Sequence, residues 1–286
     1  MIIMNKKQKA IFFIILSAFC FSLMNMFVKL SGDIPSIQKS FFRNLIAAVV
    51  AFILLYRSDN SFHWEKGNLK YLILRSSFGT IGILCNFYAL SHMNLADASM
   101  LNKLSPFFAI FFSYLFLKEK VTPTQVICMI AAFCGSLFII KPTFYFADAI
   151  PSIAGFCGGL AAGAAYTVVR KLSLRGEKGP FIVFFFSTFS CLVVLPYIIF
   201  NYAPMSSYQL AMLLLAGLCG SGGQFAITAA YANAPASEIS IFDYTIVIFA
   251  AIWSFIFWKD MPDMYSLIGY LIIFGASFYM FLQKNK

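Results

Sequence analysis

A few ionisable side chains fall in the middle of long apolar runs of a 286-residue chain that is 61% apolar and only 11% charged. Lys103 sits in Asn102-Lys103-Leu104-Ser105-Pro106, Asp243 precedes Tyr244, and Arg43 follows Phe41-Phe42. A charge in hydrocarbon costs at least ~2.5–3.5 kcal/mol on insertion scales, so such groups face a cavity or a partner. The Arg43 guanidinium offers two parallel donors to a carboxylate or phosphate, or else clamps helix ends. Lys103 lies beside a helix-distorting proline, a break tolerated only where backbone lines protein or water; the alternative is snorkelling to the interface. Asp243 is either a proton carrier whose burial favours its protonated form, a partner for a cationic substrate group, or half of an ion pair with Lys103 or Arg43. Arg75, beside Ser76 and Ser77 near a helix end, reads as a snorkelling residue.

A second tier of polar side chains lies in the same kind of run. Asn25, Asn86, Ser22, Tyr88, Tyr166, Thr167, Gln224 and Thr228 all qualify, and such residues also serve as interhelical glue worth only ~0.6 kcal/mol on average. Asn86, Tyr166 and Gln224 are the stronger cavity candidates. The candidate substrate-binding set is therefore Arg43, Asn86, Asn102, Lys103, Tyr166, Gln224, Asp243 and Tyr244, with Asp243 as the proton-coupling candidate. Glycine clusters at Gly79/Gly82, Gly220/Gly222/Gly223 and Gly155/Gly158/Gly159/Gly163 read as close-packing faces. No Lys-Ser/Thr follows them, so a phosphate loop and a nucleotide-hydrolysing motor are excluded.

Stepping outward from these residues, the chain must place them between helices. Ten apolar runs have spanning length: about 10–31, 36–56, 70–92, 97–117, 123–141, 149–170, 180–201, 208–232, 236–258 and 264–283. About 200 residues in spans leave no stretch for an extramembrane domain. An outer-membrane barrel is excluded because its strands are short alternating segments. The start resembles a signal peptide, but its apolar run is too long and has no A-x-A site, so it reads as the first span. The seven cysteines (20, 85, 128, 134, 157, 191 and 219) lie in apolar segments without CxxC pairing. They read as small hydrophobes, and His63 and His92 are too dispersed for a metal site. No cofactor is expected.

Positive charge sets the expected topology. With both termini on one side, that side collects Lys6, Lys7, Lys9, Arg57, Lys66, Lys70, Lys118, Lys120, Arg170, Lys171, Arg175, Lys178, Lys259, Lys284 and Lys286. The other side holds Lys29, Lys39 and Lys141, a count of fifteen against three. Both termini are therefore expected in the cytoplasm. The net charge of +10 is a topology signal here and does not point to nucleic acid.

The chain also repeats itself. Tyr114-Leu-Phe-Leu-Lys-Glu119 matches Phe255-Ile-Phe-Trp-Lys-Asp260 at an offset of 141 residues. At that offset Gly79-Thr80-Ile81-Gly82 meets Gly220-Ser221-Gly222-Gly223, Asp97 meets Glu238, and Asn102-Lys103 meets Asp243-Tyr244. Lys29-Leu30-Ser31 meets Lys171-Leu172-Ser173 with a one-residue slip. Halves of five spans each, residues 1–142 and 143–286, must enter the membrane from opposite sides. The expected fold is an all-α integral membrane protein, ten transmembrane helices as two inverted five-helix repeats. That architecture recurs in secondary transporters.

On these residues the sequence resembles the drug/metabolite transporter superfamily, and within it the EamA-type ten-helix transporters. The resemblance rests on Phe116-Leu117-Lys118-Glu119-Lys120, Phe257-Trp258-Lys259-Asp260, Phe41-Phe42-Arg43 and the stretch Ala96–Pro106, and it covers nearly the whole chain. It implies a central cavity with the fifth and tenth helices peripheral, Arg43 near that cavity, and movement of a small metabolite such as an amino acid, nucleotide-like compound or cofactor. The mixture of Arg43, Lys103 and Asp243 suits a zwitterion. A rival is proton-coupled efflux of lipophilic cations, against which the nearby basic groups count. A membrane-embedded enzyme would need a Ser–His pair or paired aspartates, which these spans lack. The expected partners are a small-molecule substrate and the bilayer, with a homodimer left open.

Overall fold

The computed structural model describes residues 5–57, 64–65, 67–92, 95–142, 149–259 and 261–283. Ten helices in it are long and apolar enough to cross a membrane. They are α1 (Lys6–Leu30), α2 (Ser36–Tyr56), α3 (Leu69–His92), α5 (Pro123–Ile140), α6 (Ala149–Leu174), α7 (Gly179–Phe200), α8 (Ser207–Asn233) and α10 (Met264–Leu282), with two that are broken. Span α4 consists of Leu95–Asn102, a turn at Lys103 and Leu104, Ser105–Phe112 and a wider π turn Ser113–Leu117. Span α9 consists of Ala236–Ile239, a 3-10 segment Ser240–Tyr244 and Thr245–Trp258.

Local chemistry explains the ends. Asn5, Thr122 and Ser206 each cap a helix through a reciprocal box with Gln8, Gln125 and Gln209, satisfying backbone donors that the first turn leaves unpaired. Lys118 and Lys259 end α4 and α9 in the left-handed conformation, at φ 56° and 61°. Their numbers differ by 141, so the repeated Phe-Leu-Lys-Glu and Phe-Trp-Lys-Asp segments share a backbone stop as well as a sequence.

Contacts between connections sort the helix ends into two sets. On the side of both termini, Lys7 Nζ donates to the Gln283 carbonyl at 2.9 Å, Asn68 Nδ2 to Glu177 Oε2 at 3.0 Å and Ser237 Oγ to the Lys120 carbonyl at 3.2 Å. On the far side, Gln38 Nε2 donates to the Ala203 carbonyl at 2.9 Å, and Lys141 pairs with Asp263. The bundle therefore alternates in direction, span by span. This corrects one assignment: α9 starts on the terminus side, so Lys259 belongs with Lys29, Lys39 and Lys141. The count becomes fourteen against four, still lopsided. Of these lysines Lys66, Lys284 and Lys286 lie outside the described residues, as do His63 and the junction between the expected halves at 143–148.

Packing repeats as well. Helix α1 lies along α8, and α6 lies along α3; α1 also meets the second part of α9, and α6 the second part of α4. Exchanging the halves turns each contact into the other. Small residues let these backbones close up. A methyl group on Gly163 would stand 2.5 Å from Phe108 Cβ and 2.7 Å from the Ala109 nitrogen, so α6 can meet α4 only without a Cβ there. Helices α5 and α10 pack on each other, and a methyl group on Gly269 would stand 2.5 Å from the Gly135 carbonyl oxygen.

Candidate functional site

The break in α4 follows from its sequence. Pro106 has no N–H to donate, and the helix gives way to a turn at Lys103 and Leu104 before restarting at Ser105. The carbonyl of Lys103 is picked up by the Tyr244 hydroxyl at 2.9 Å. Tyr244 comes from the 3-10 segment of α9, which occupies the repeat position of the same break. The two interruptions meet, and there Lys103 Nζ lies 3.4 Å from Asp243 Oδ2, their side chains 12% and 14% exposed. The ion-pair alternative for Asp243 is therefore realised, inside a cavity that both residues line.

That cavity has a volume of about 820 Å³, within the range of small-molecule sites. Arg43, Asn86, Asn102, Lys103, Tyr166, Gln224 and Asp243 all line it, as do Ser22 and Asn25. Arg43 is buried against Met24, with its Nε 3.3 Å from the sulfur and its Nη1 3.2 Å from Asn44 Oδ1. Both partners are neutral, and among the described residues no carboxylate pairs with its charge. Gln224 Nε2 is buried without a hydrogen-bond partner among the described residues. Trp253 shares the wall and donates from Nε1 to Ser22 Oγ at 2.9 Å. The charge balance is strongly one-sided: Lys29, Lys39, Arg43, Arg75 and Lys103 line the cavity against Asp33 and Asp243. Five cations face two carboxylates among the described residues.

The cavity reaches the α1–α2 connection, where Lys29, Asp33, Ile34, Ser36 and Lys39 form its wall. It is closed toward the terminus side by a stack of contacts. Tyr166 lies face to face with Tyr231 at 5.0 Å between ring centroids, and the Tyr231 hydroxyl is 3.1 Å from Ser240 Oγ. Beneath them Arg170 donates from Nε to Glu119 Oε1 at 2.8 Å and from Nη1 to the Ala232 carbonyl at 3.0 Å. That ion pair is only 12% and 11% exposed. Glu119 belongs to the repeated Lys-Glu stop of α4.

The sequence profile described as the "EamA-like transporter family" matches residues 8–141 and, a second time, 150–282. The chain belongs to this family. It is a membrane transporter, not an enzyme, built from duplicated halves. It is 29% identical to the pseudopaline exporter CntI of Pseudomonas aeruginosa over 96% of both chains. It is 28% identical to a riboflavin transporter of Brucella anthropi, over 88% of this chain and 90% of that one. A crystal structure with 12% identity superposes with a TM-score of 0.80, covering 94% of this chain and 95% of the other, which speaks for the fold alone.

Two sequence expectations about this EamA-family cavity need correction. Tyr244 does not line it: the side chain is fully buried, and its hydroxyl serves the carbonyl freed at the α4 break. Arg75 does not snorkel: it is 2% exposed and lines the cavity, with its guanidinium 3.9 Å from the centroid of Phe186. Helical side chains tilt toward the helix N-terminus, which for α3 is the nearer membrane face, so an outward reach was the natural reading. The signal was Gly79, one turn further on, which leaves room for the guanidinium to lie the other way. Of the second-tier residues, Tyr88 instead stacks on His92 at 4.2 Å, and Thr167 bonds the Ala109 and Gly163 carbonyls.

Proposed function

We propose that the chain is a secondary transporter or facilitator of a small polar metabolite carrying at least one anionic group, amino-acid-like or nucleotide- or cofactor-like. The excess of five cations over two carboxylates around the cavity carries this reading. A basic, partly desolvated pocket attracts anions and repels cations. The same excess counts against efflux of lipophilic cations, for which Asp243, the acid beside the helix breaks, is already paired with Lys103. That the two relatives are named for pseudopaline and riboflavin supports a small-molecule cargo.

The working cycle is alternating access. The arrangement open toward the α1–α2 connection and closed at Arg170–Glu119 is one state; the repeat supplies an equivalent set of segments for the other. The fourteen-to-four lysine and arginine count supports placing both termini in the cytoplasm, so the open side is the outer one. Asp243 is proposed as the proton-coupling group, because protonation would release Lys103 inside the cavity.

Reconstitution in liposomes tests the class. Counterflow of a labelled anionic metabolite with no added chemical energy is expected, lost in Arg43→Ala and Lys103→Ala at normal yields of folded protein. Counterflow of lipophilic cations alone would refute it. Asp243→Asn is expected to flatten the pH profile of transport; an unchanged profile removes Asp243 from the coupling.

A further inference from the structure

Arg75 is the buried charge to which the proposed function gives no role of its own beyond the count of cations. Its Nε and Nη1 are buried with no hydrogen-bond partner among the described residues, and its guanidinium lies 3.9 Å from the centroid of the Phe186 ring. The side chain fits because position 79 is glycine: a methyl group there would stand 2.1 Å from Arg75 Nη1 and 2.6 Å from Phe186. Gly79 has a repeat counterpart in Gly220, since 220 less 141 is 79. Gly220 holds the other buried arginine: a methyl group there would stand 3.2 Å from Cγ and 3.5 Å from Nε of Arg43.

The two arginines come from different helices and are not repeat counterparts in sequence. Each nonetheless lies on one of two equivalent mid-helix glycines, Arg75 on Gly79 of its own helix α3 and Arg43 on Gly220 of α8 in the other half. Gly79 is ten residues into α3 and Gly220 thirteen into α8, so both lie roughly 15–20 Å along their helices. Two guanidiniums thus stand in the wall of one cavity, while Lys103 in the same wall is already paired with Asp243. Uncompensated buried charge is costly, and a guanidinium stripped of water is matched best by an oxyanion.

Resting on the reading of this cavity as a site for an anionic metabolite, we infer that the substrate carries two anionic groups, one held by Arg43 and one by Arg75. Arg75 is then a specificity-determining residue that counts the charges on the cargo.

The test uses the purified full-length protein at constant ionic strength, with succinate, glutarate and adipate and the monoamide of each. The dianions are expected to raise the melting temperature and to bind ~10–100-fold more tightly than their monoamides, the effect of one charge-assisted contact. In Arg75→Gln that ratio should fall to near one, with monoamide binding little changed. Ligand-free Arg75→Met should melt above the unsubstituted protein, because it removes an unpaired buried charge; a structural arginine would give the opposite. Equal binding of dianion and monoamide, equal weakening of both in Arg75→Gln, or a lower melting point for Arg75→Met would overturn the inference and leave the anion site standing. Stabilisation by none of these acids or monoamides, with lipophilic cations stabilising instead, would sink the anion site as well. If Arg75→Gln does not fold, the dianion-to-monoamide ratio of the unsubstituted protein still decides.

Discussion

At the end of the bundle that carries both termini, Arg170 is locked between Glu119 and the Ala232 carbonyl beneath stacked Tyr166 and Tyr231. At the opposite end Lys29, Asp33 and Lys39 stand around the wall of a cavity. Both ends are made from repeated material. The stop of α4 reads Leu-Lys-Glu and that of α9 Trp-Lys-Asp, and both lysines turn left-handed. Glu119 is engaged in the closed end; its repeat counterpart, Asp260, lies outside the described residues. On the proposed alternating-access cycle, the difference teaches how one fold used twice in opposite directions would hold two states in reserve.

The largest expected effect comes from breaking the closed end. Removing one partner of a buried ion pair costs ~3–5 kcal/mol, because the other is left unpaired. Glu119→Gln should shift the population toward the state open at that end by ~100-fold or more, read as faster labelling by an impermeant thiol reagent of a cysteine placed at Ala162 from the terminus side. Replacing both partners with Met should restore much of the closure. Next, Arg43→Ala removes a charge-assisted contact and should weaken anion binding ~10–100-fold without a matching loss of thermal stability. A smaller effect sharpens the contrast between centre and periphery. Gly269→Val should overpack α10 against the Gly135 carbonyl and destabilise the fold by ~1–3 kcal/mol, with anion affinity retained.

The smallest effect is at the α5–α10 edge. Asp263 caps α10 through the Ser266 nitrogen at 3.0 Å, and Lys141 with Ser266 holds its carboxyl down to about 2. A carboxyl with a depressed folded-state pKa stabilises above its unfolded value near 4, and that contribution disappears as pH falls toward about 2. Asp263→Ala should therefore melt slightly lower at neutral pH, the gap narrowing over that acid window.

The ten spans were legible because length and apolarity alone define them. The repeat was legible because Lys-Glu and Gly-rich segments recur at one spacing. The α4 break announced itself through Pro106, whereas the 3-10 segment of α9 has no proline and could be reached only through the repeat. Seven of the eight candidate residues line the cavity because charged and amide groups inside spans have few other places to go. Tyr244 misled because a tyrosine hydroxyl serves a carbonyl as readily as a ligand. Arg75 was hidden because its direction depends on a glycine one turn away. Lys259 was misplaced because its side follows from the direction of the odd-numbered ninth span, and short clusters of charge do not reveal that.

Side-resolved labelling at Asn86 tests the central claim most directly. In a variant without the native cysteines, Asn86→Cys would be exposed in turn to an impermeant thiol reagent from each face of a sealed vesicle. Labelling from both faces is expected, the two rates moving in opposite directions when an anionic cargo binds or when Glu119→Gln is added. Labelling from one face only, under every condition, would contradict alternating access through this cavity.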